Sequence, residues 1–383
     1  MSNVKLFVGL DVHKATIAMS VAEAGRNGEV RYIGNFANNP VAIISQLKRL
    51  SERHGEIECA YEAGPCAYTL YRKLTDVGIC CMVVAPSKLP AVRGRVKNDH
   101  RDSLSLARLL RSGDLVAVWV PDPTHEAMRD LVRARQAASF DVRKARQRIQ
   151  SYLLLRDRHY VSKPWTSRHK IWLADQAFDH PAQQITLQTY INALEQAESR
   201  RAGLDQQIND LLPSWSLAPI VKSLQALRGV ASVIAIALVA EIGDFERFAS
   251  PRDLMAYMGL VPGEHSSGAS VRPRGITKQG NSVTRALLYE AAWCYRQSAK
   301  VGQWMTARRP RDLPQYALDI AWKVQLRLCS RYRKLVARGK KKPSGYHSCR
   351  TRASWIRLGD RSRGIPARSD LMIKEHVSNP IYS

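Results

Sequence analysis

Three apolar runs precede the first helical pattern, and that ordering restricts the fold more than any other feature of the chain. Residues 5–10, 15–22 and 30–36 carry strand patterns, with Gly25 and Gly28 breaking the chain between the second and third. Asn39 and Pro40 then open a helix that sets Val41, Ile44, Leu47 and Leu50 along one face. Residues 56–61 return to strand, 68–77 to helix and 79–85 to a buried strand; a further helix spans 97–112. Strands alternating with helices make an α/β layer fold. Three strands ahead of the first helix predict an antiparallel meander joined to parallel strands.

That order is the one found in RNase H-like domains, and four carboxylates stand where such a sheet builds a site. Asp11 and Glu62 each follow a strand, and in open α/β sheets sites form beyond strand ends. Asp99 and Asp102 lie one turn apart at the start of the third helix. An N-cap and a first-turn acid would account for that pair. Yet Asp102 precedes Leu106 by four residues and Leu109 by seven, which turns it inward. An inward carboxylate costs free energy unless a cation meets it. Four converging acids would hold one or two Mg²⁺ ions, hard cations that prefer carboxylate oxygens and keep waters for phosphate to displace.

Charge narrows the partner. Lys and Arg number 59 against 33 Asp and Glu, a formal charge of +26 with a pI near 10.1. Such an excess calls for a polyanion, nucleic acid first and an acidic membrane surface second. No apolar run approaches the length of a bilayer span, and the N-terminus lacks a signal-peptide pattern. Seven cysteines without a Cys-x-x-Cys motif predict reduced thiols in a cytoplasm, and argue against a disulfide scaffold or structural zinc.

The second half is helical. Residues 126–155 form a long basic helix with Arg129, Arg133, Arg135, Arg143, Lys144, Arg146 and Arg148, a density suited to tracking phosphates. Tyr152, Tyr160, Trp165 and Trp172 follow among further cations, a mixture that suits either core packing or stacking on bases. Residues 184–212 show heptad spacing at Leu187, Tyr190, Leu194, Ala197, Arg201, Leu204, Ile208 and Leu211, which predicts an antiparallel or intersubunit coiled coil. Pro213 ends it. The turn at Gly229 resembles a degenerate helix-hairpin-helix, with Ala231 where a glycine is expected. Residues 259–281 then hold Ser266, Ser267 and Ser270 among glycines, with Arg272, Arg274 and Lys278 close by and Arg285 beyond. Glycines admit a close backbone approach to a ligand and uncompensated cations need an anion, so a hydroxyl held against phosphate is one reading and a solvated basic loop the other. Helices at 282–299 and 315–338 follow, the latter basic. The implied division is 1–125, 126–213, 214–345 and a basic tail, 346–383, expected to order only against nucleic acid.

Several motifs in one order carry a resemblance: Gly9-Leu10-Asp11-Val12-His13-Lys14, Tyr61-Glu62-Ala63-Gly64-Pro65, Val84-Ala85-Pro86-Ser87 and Lys97-Asn98-Asp99-His100-Arg101-Asp102. The chain closely resembles the DEDD insertion-sequence transposases, or bridge recombinases, up to about residue 338. Gly259-Leu260-Val261-Pro262, Ser267-Gly268 and Gly275-Ile276-Thr277-Lys278-Gln279-Gly280-Asn281 match the second domain of that family. The resemblance implies a RuvC-like N-terminal domain, a coiled-coil spacer and a mainly α-helical transposase domain with a catalytic serine loop. It implies Asp11, Glu62, Asp99 and Asp102 as metal ligands and Ser267 as nucleophile. Asn98 stands where the family usually has Thr, which should alter capping more than chemistry.

The resemblance further implies donor and target double-stranded DNA, a structured guide (bridge) RNA, and homodimers assembling to a homotetramer in a bacterial, nucleoid-associated setting. Arg272, Arg274, Lys278, Arg285, Arg133, Arg143 and Arg146 are the expected nucleic-acid contacts. Two rivals stand beside it: a metal-dependent RuvC-like junction nuclease in which Ser267 is incidental, and a chaperone or repressor that only binds.

Overall fold

The computed structural model describes residues 4–64, 66, 68–86, 98–264, 266, 270 and 272–338. The chain divides into two compact units, through Pro121 and from Asp122 onward.

Unit 1 is a five-stranded mixed sheet in the order β3-β2-β1-β4-β5. β1 (Leu6–Val12), β2 (Thr16–Glu23) and β3 (Val30–Ala37) form the expected antiparallel meander. β4 (Ile57–Glu62) and β5 (Cys80–Val84) run parallel to β1. The period-2 alternation of side chains sorts the sheet into two faces. Leu6, Val8 and Leu10 pack with Ile43 and Leu47 of α1 (Pro40–His54) and with Leu70 and Leu74 of α2 (Thr69–Asp76). The opposite face lies under α3 (Asp99–Ser112), where Ala60 and Val84 meet Leu110. Val118 N–H closes the unit by donating to the Val83 carbonyl at 2.7 Å.

Unit 2 is built on α4 (Pro123–Leu154), which belongs to two cores. Its N-terminal half gives Met128 and Val132 to a core with Val221 of α7 (Ala218–Leu224), Ile236 and Val239 of α8 (Ser232–Ile242), and Leu254 of α9 (Pro251–Tyr257). Its C-terminal half packs Val142, Ile149 and Tyr152 against α5 (Ser167–Ala174) and α6 (Pro181–Leu211). Four of the eight heptad positions, Leu187, Leu194, Ala197 and Ile208, are buried within the chain, whereas Leu211 is exposed. The pairing of α4 with α6 is antiparallel, as the links Arg135–Asp205, Arg146–Glu198 and Tyr152–Gln183 require. Ile208 of α6 also enters the core of α7 and α8, so residues 126–213 share a core with the segment after Pro213 rather than standing apart as a spacer. The aromatic residues from the end of α4 onward resolve toward packing: Tyr152, Trp165 and Trp172 join Phe178 and Tyr190 around that half of the helix.

The remainder comprises a short hairpin of β6 (Pro262–Glu264) and β7 (Pro273–Ile276), then α10 (Ser282–Ala292), α11 (Gln303–Arg308) and α12 (Gln315–Ala337). The helix read over 282–299 stops earlier, at Ala292, and continues as a 3-10 turn through Arg296. No described helix is long and apolar enough to cross a membrane. The six described cysteines are free. The tail 346–383 lies outside the described residues.

Candidate active site

The acidic site begins with a glycine. A Cβ on Gly9 would stand 2.2 Å from the Ser103 carbonyl oxygen and 2.5 Å from the Ala107 nitrogen, so α3 lies directly on β1. The buried Ser20 and Ser103 hydroxyls, 2.8 Å apart, fix the helix against β2 as well. Close packing sets the N-terminus of α3 beside the strand ends. Asn98 caps that helix, its side-chain oxygen accepting from His100 N–H at 3.0 Å. The cap is therefore Asn98 and not Asp99, which leaves the Asp99 carboxylate for other partners.

Asp11 sits on the α3 face of β1, two residues beyond Gly9 and 9% exposed. His13, two residues further on, places Nε2 at 3.2 Å from Asp11 Oδ2 and 3.4 Å from Asp99 Oδ1. Asn38 steadies the turn by donating to the His13 carbonyl at 2.7 Å. Among the described residues, Asp11, His13 and Asp99 bring one ligand atom each within 4.8 Å of one another. Burial pushes the Asp11 carboxyl above its ordinary range; His13 pulls it down, and Asp99 and Asp102 push it up again. Asp102, half-buried, thus acts on Asp11 electrostatically while lying outside the three-residue cluster. Glu62 also lies outside it. Leu10 pairs with Tyr61, so Asp11 and Glu62 come next on neighbouring parallel strands and share the face of Gly9 and Ala60. The sequence reading had no role for His13, although its place two residues after a strand-end acid puts it on the same side.

This donor set suits a divalent cation. Two carboxylates with an imidazole give hard oxygen and borderline nitrogen ligands. The upward pressure on Asp11 from burial and from two neighbouring acids is what a bound cation would relieve.

The serine stretch lies in unit 2 at the tip of the β6–β7 hairpin, in which Pro262 pairs with Ile276 and Glu264 with Pro273. Two glycines let the hairpin stems cross. At Gly259 (φ +65) a Cβ would meet the Gln279 carbonyl oxygen at 2.2 Å; at Gly280 (φ +111) it would meet that of Tyr257 at 2.1 Å. Lys278 N–H donates to the Gly259 carbonyl and Asn281 N–H to that of Tyr257, both at 3.0 Å. The Ser266 hydroxyl donates to Glu264 Oε1 at 2.5 Å and accepts from Arg272 N–H at 3.2 Å. Ser270 is exposed, and Ser267 lies outside the described residues.

Beneath the hairpin sits a carboxylate absent from the sequence reading. Glu241, on apolar α8, is 5% exposed. It accepts Arg133 Nε at 2.8 Å on one oxygen; its other oxygen accepts Arg133 Nη2 at 3.0 Å and the Asn281 amide at 2.7 Å. Burial pushes this carboxyl up, but the hydrogen bonds from Arg133 and Asn281 outweigh burial and hold it below its ordinary range. Asn281 also caps α10, accepting from Val283 and Thr284 N–H.

The proposed nucleic-acid contacts therefore separate. Arg133 is committed to Glu241, and Arg146 to Glu198 at 2.6 Å. Arg285 donates to the Met258 carbonyl at 2.8 Å, holding the end of α9. These three serve the protein's own structure. Arg143, Arg272 and Lys278 are exposed, and Arg274 lies on β7. Charge density along α4 could not show this division, because the carboxylates that claim Arg133 and Arg146 are distant in sequence. The Gly229 turn is likewise occupied, a Cβ there meeting the Ala291 carbonyl oxygen at 2.4 Å.

Residues 8–156 match a family profile described as Transposase (DEDD, IS110 type), and residues 221–308 match the Transposase IS116/IS110/IS902 family. The y4qE protein of Sinorhizobium fredii, whose name calls it a transposase, is 47% identical over 337 residues, covering 88% of this chain and 83% of that protein. The transposase for insertion sequence element IS1533 of Leptospira borgpetersenii is 31% identical over 342 residues, 88% of this chain and 98% of its own.

The chain belongs to the IS110 family of transposases.

Among solved structures, Thermus thermophilus RuvC in complex with a Holliday junction substrate aligns with 30% of this transposase and 99% of its own chain, at 10% identity and a TM-score of 0.22. Insertion-sequence transposases cleave DNA and transfer strands, and the acidic site of this one falls inside the segment matched to the DEDD profile.

Proposed function

We propose that this transposase is an RNA-guided recombinase that moves its own insertion element through a serine-linked DNA intermediate. In this reading the Ser267 hydroxyl attacks a DNA phosphodiester. A serine O–P bond forms, the 3′ O–P bond breaks, and the serine proton ends on the departing 3′ oxygen. One ester replaces another, so strands can be exchanged and resealed without ATP. Asp11 and Asp99, with Glu62 and Asp102 close by and His13 beside them, would hold Mg²⁺. When bound, the ion would neutralise charge on the reacting phosphate. Arg272, exposed beside Ser266, and Lys278, exposed at the base of the hairpin, would hold the scissile strand.

The observation that carries this choice is the tie on Ser266. Its hydroxyl is bound between Glu264 and the Arg272 amide, which occupies Ser266 within the hairpin, and the match of Ser267-Gly268 to the family motif supports Ser267 as the nucleophile. The charge of +26 supports contact with both guide RNA and DNA backbones, with base pairing to the guide choosing sequence. A homotetramer of two homodimers, bringing serine and acids together from different protomers, completes the proposal.

The clustering of Asp11, His13 and Asp99 favours a second reading, a metal-dependent nuclease that cuts by activated water. Ser267→Ala separates the two in a strand-transfer assay with the flanking noncoding RNA. The serine reading expects neither cleavage nor a covalent protein–DNA adduct; persistent metal-dependent cleavage by the variant would establish the nuclease.

A further inference from the structure

Two helices of unit 2 are rich in cations, and the structure treats them differently. On α4, Arg129, Arg133, Arg135 and Arg146 face carboxylates within ion-pair distance. On α12 the acids run out: Asp319 is its only carboxylate, sits in the second turn, and accepts from Gln315 at 2.8 Å. Beyond it come Lys323, Arg327, Arg331, Arg333, Lys334 and Arg338, all exposed. Arg331, Arg333, Lys334 and Arg338 have no carboxylate partner among the described residues.

Their spacing makes a line. At 3.6 residues per turn, positions 323, 327, 331, 334 and 338 fall within an arc of about 80° and extend about 22 Å along the axis. Trp322 and Leu326, 40% and 46% exposed, form a second, apolar stripe beside it. The opposite side holds the helix to its unit, with Ala317, Ala321, Gln325 and Leu328 buried and Gln325 donating to the Lys300 carbonyl at 3.0 Å. The line of charge is thus carried on a fixed support.

We infer that the exposed face of α12 is a docking surface for duplex DNA, its cations lying along one phosphate strand and Trp322 and Leu326 meeting the sugar edge. A second copy of the same face is a poor occupant, since it would bring like charges together. Phosphates on one strand advance about 3.4 Å along the duplex axis while winding around it, so a straight line of this length meets only the few that face it. The inference rests on the DNA-handling class of this transposase, and it needs neither the serine step nor the guide.

The test uses the full chain and a labelled duplex of arbitrary sequence, without divalent metal, so no cleavage enters. Binding is titrated across salt concentrations for wild type, Arg331→Ala/Lys334→Ala and Lys48→Ala/Arg49→Ala, the last pair being exposed cations of α1. Each phosphate contact contributes about 0.9 to the slope of log K against log salt. The α12 variant is expected to lose about 1.8 of that slope and bind roughly 60-fold more weakly near 0.1 M salt, while the α1 variant keeps the wild-type slope. Melting curves check folding, and Arg331→Gln/Lys334→Gln repeats the test with longer polar side chains. Equal losses from both helices would reduce the effect to net charge and overturn the inference. Unchanged duplex binding with loss confined to an RNA hairpin, or to an acidic peptide, would also overturn it.

Discussion

Asp11 and Glu241 are both buried carboxylates, and the protein treats them in opposite ways. Asp11 lies among other acids with one imidazole in contact, and its carboxyl is held above the ordinary range by burial first. Glu241 is met by Arg133 and Asn281, and those hydrogen bonds hold it below that range despite burial. A satisfied carboxylate of the second kind locks the segments it joins. An unsatisfied one of the first kind stores a demand for positive charge, which is what a metal site needs before its metal arrives. Burial alone therefore does not identify a functional acid; the sign of its surroundings does.

The largest effect should come from breaking the satisfied partner. Glu241→Ala leaves the Arg133 guanidinium and the Asn281 amide without their acceptor, and should destabilise unit 2 by about 3 kcal/mol, at the low end for such pairs because Arg133 is half-exposed. Denaturant melts of the full chain measure this; a loss under about 1 kcal/mol would show that the pair contributes little. Next comes the support of the acidic site. Gly9→Ala forces α3 off β1 and should cost roughly 2 kcal/mol through overpacking. Metal affinity, read by calorimetric titration, should fall with it, and an unchanged affinity would mean that α3 does not set the site.

Asp11→Asn sharpens the contrast because its sign is reversed. A carboxyl whose folded pKa is raised disfavours the folded state above that pKa and has no such effect below the unfolded value. Removing the charge should therefore raise the metal-free melting temperature at pH 7 while strand transfer is lost. For Glu241 the linkage runs the other way: its stabilisation is present above the unfolded pKa and fades as pH falls through the folded one. As pH falls, both variants should therefore converge on wild type, Asp11→Asn from above and Glu241→Ala from below, and an approach from the same side would remove the distinction. The smallest effect is expected at Arg143→Ala, where loss of one exposed cation should lower the salt slope of DNA binding by about 1.

Much of unit 1 was legible because period-2 alternation and strand-end acids are local signals. The meander, the parallel strands and the placing of Asp11, Asp99 and Asp102 around one helix start all follow from them. His13 was legible in principle and went unread, since a histidine two residues past an acid signals nothing without the helix that brings Asp99 to it. Unit 2 hid more. The β6–β7 strands have three and four residues containing prolines and a glycine apiece, so no alternation announces them. Glu241 did leave a trace, a lone acid in the apolar run Val-Ile-Ala-Ile-Ala-Leu-Val-Ala-Glu-Ile, but its partners lie 108 and 40 residues away. Only tertiary structure divides arginines that bind carboxylates from arginines left for a ligand.

One consequence follows from α4 belonging to two cores. Its 32 residues make a rod of about 48 Å, gripped by aromatic side chains near Tyr152 and by Glu241 at Arg133. A load applied to the far end of such a rod is felt at the foot of the serine hairpin, because Glu241 hands it directly to Asn281. Whatever takes hold of the α4–α6 arm thereby gains leverage over the hairpin.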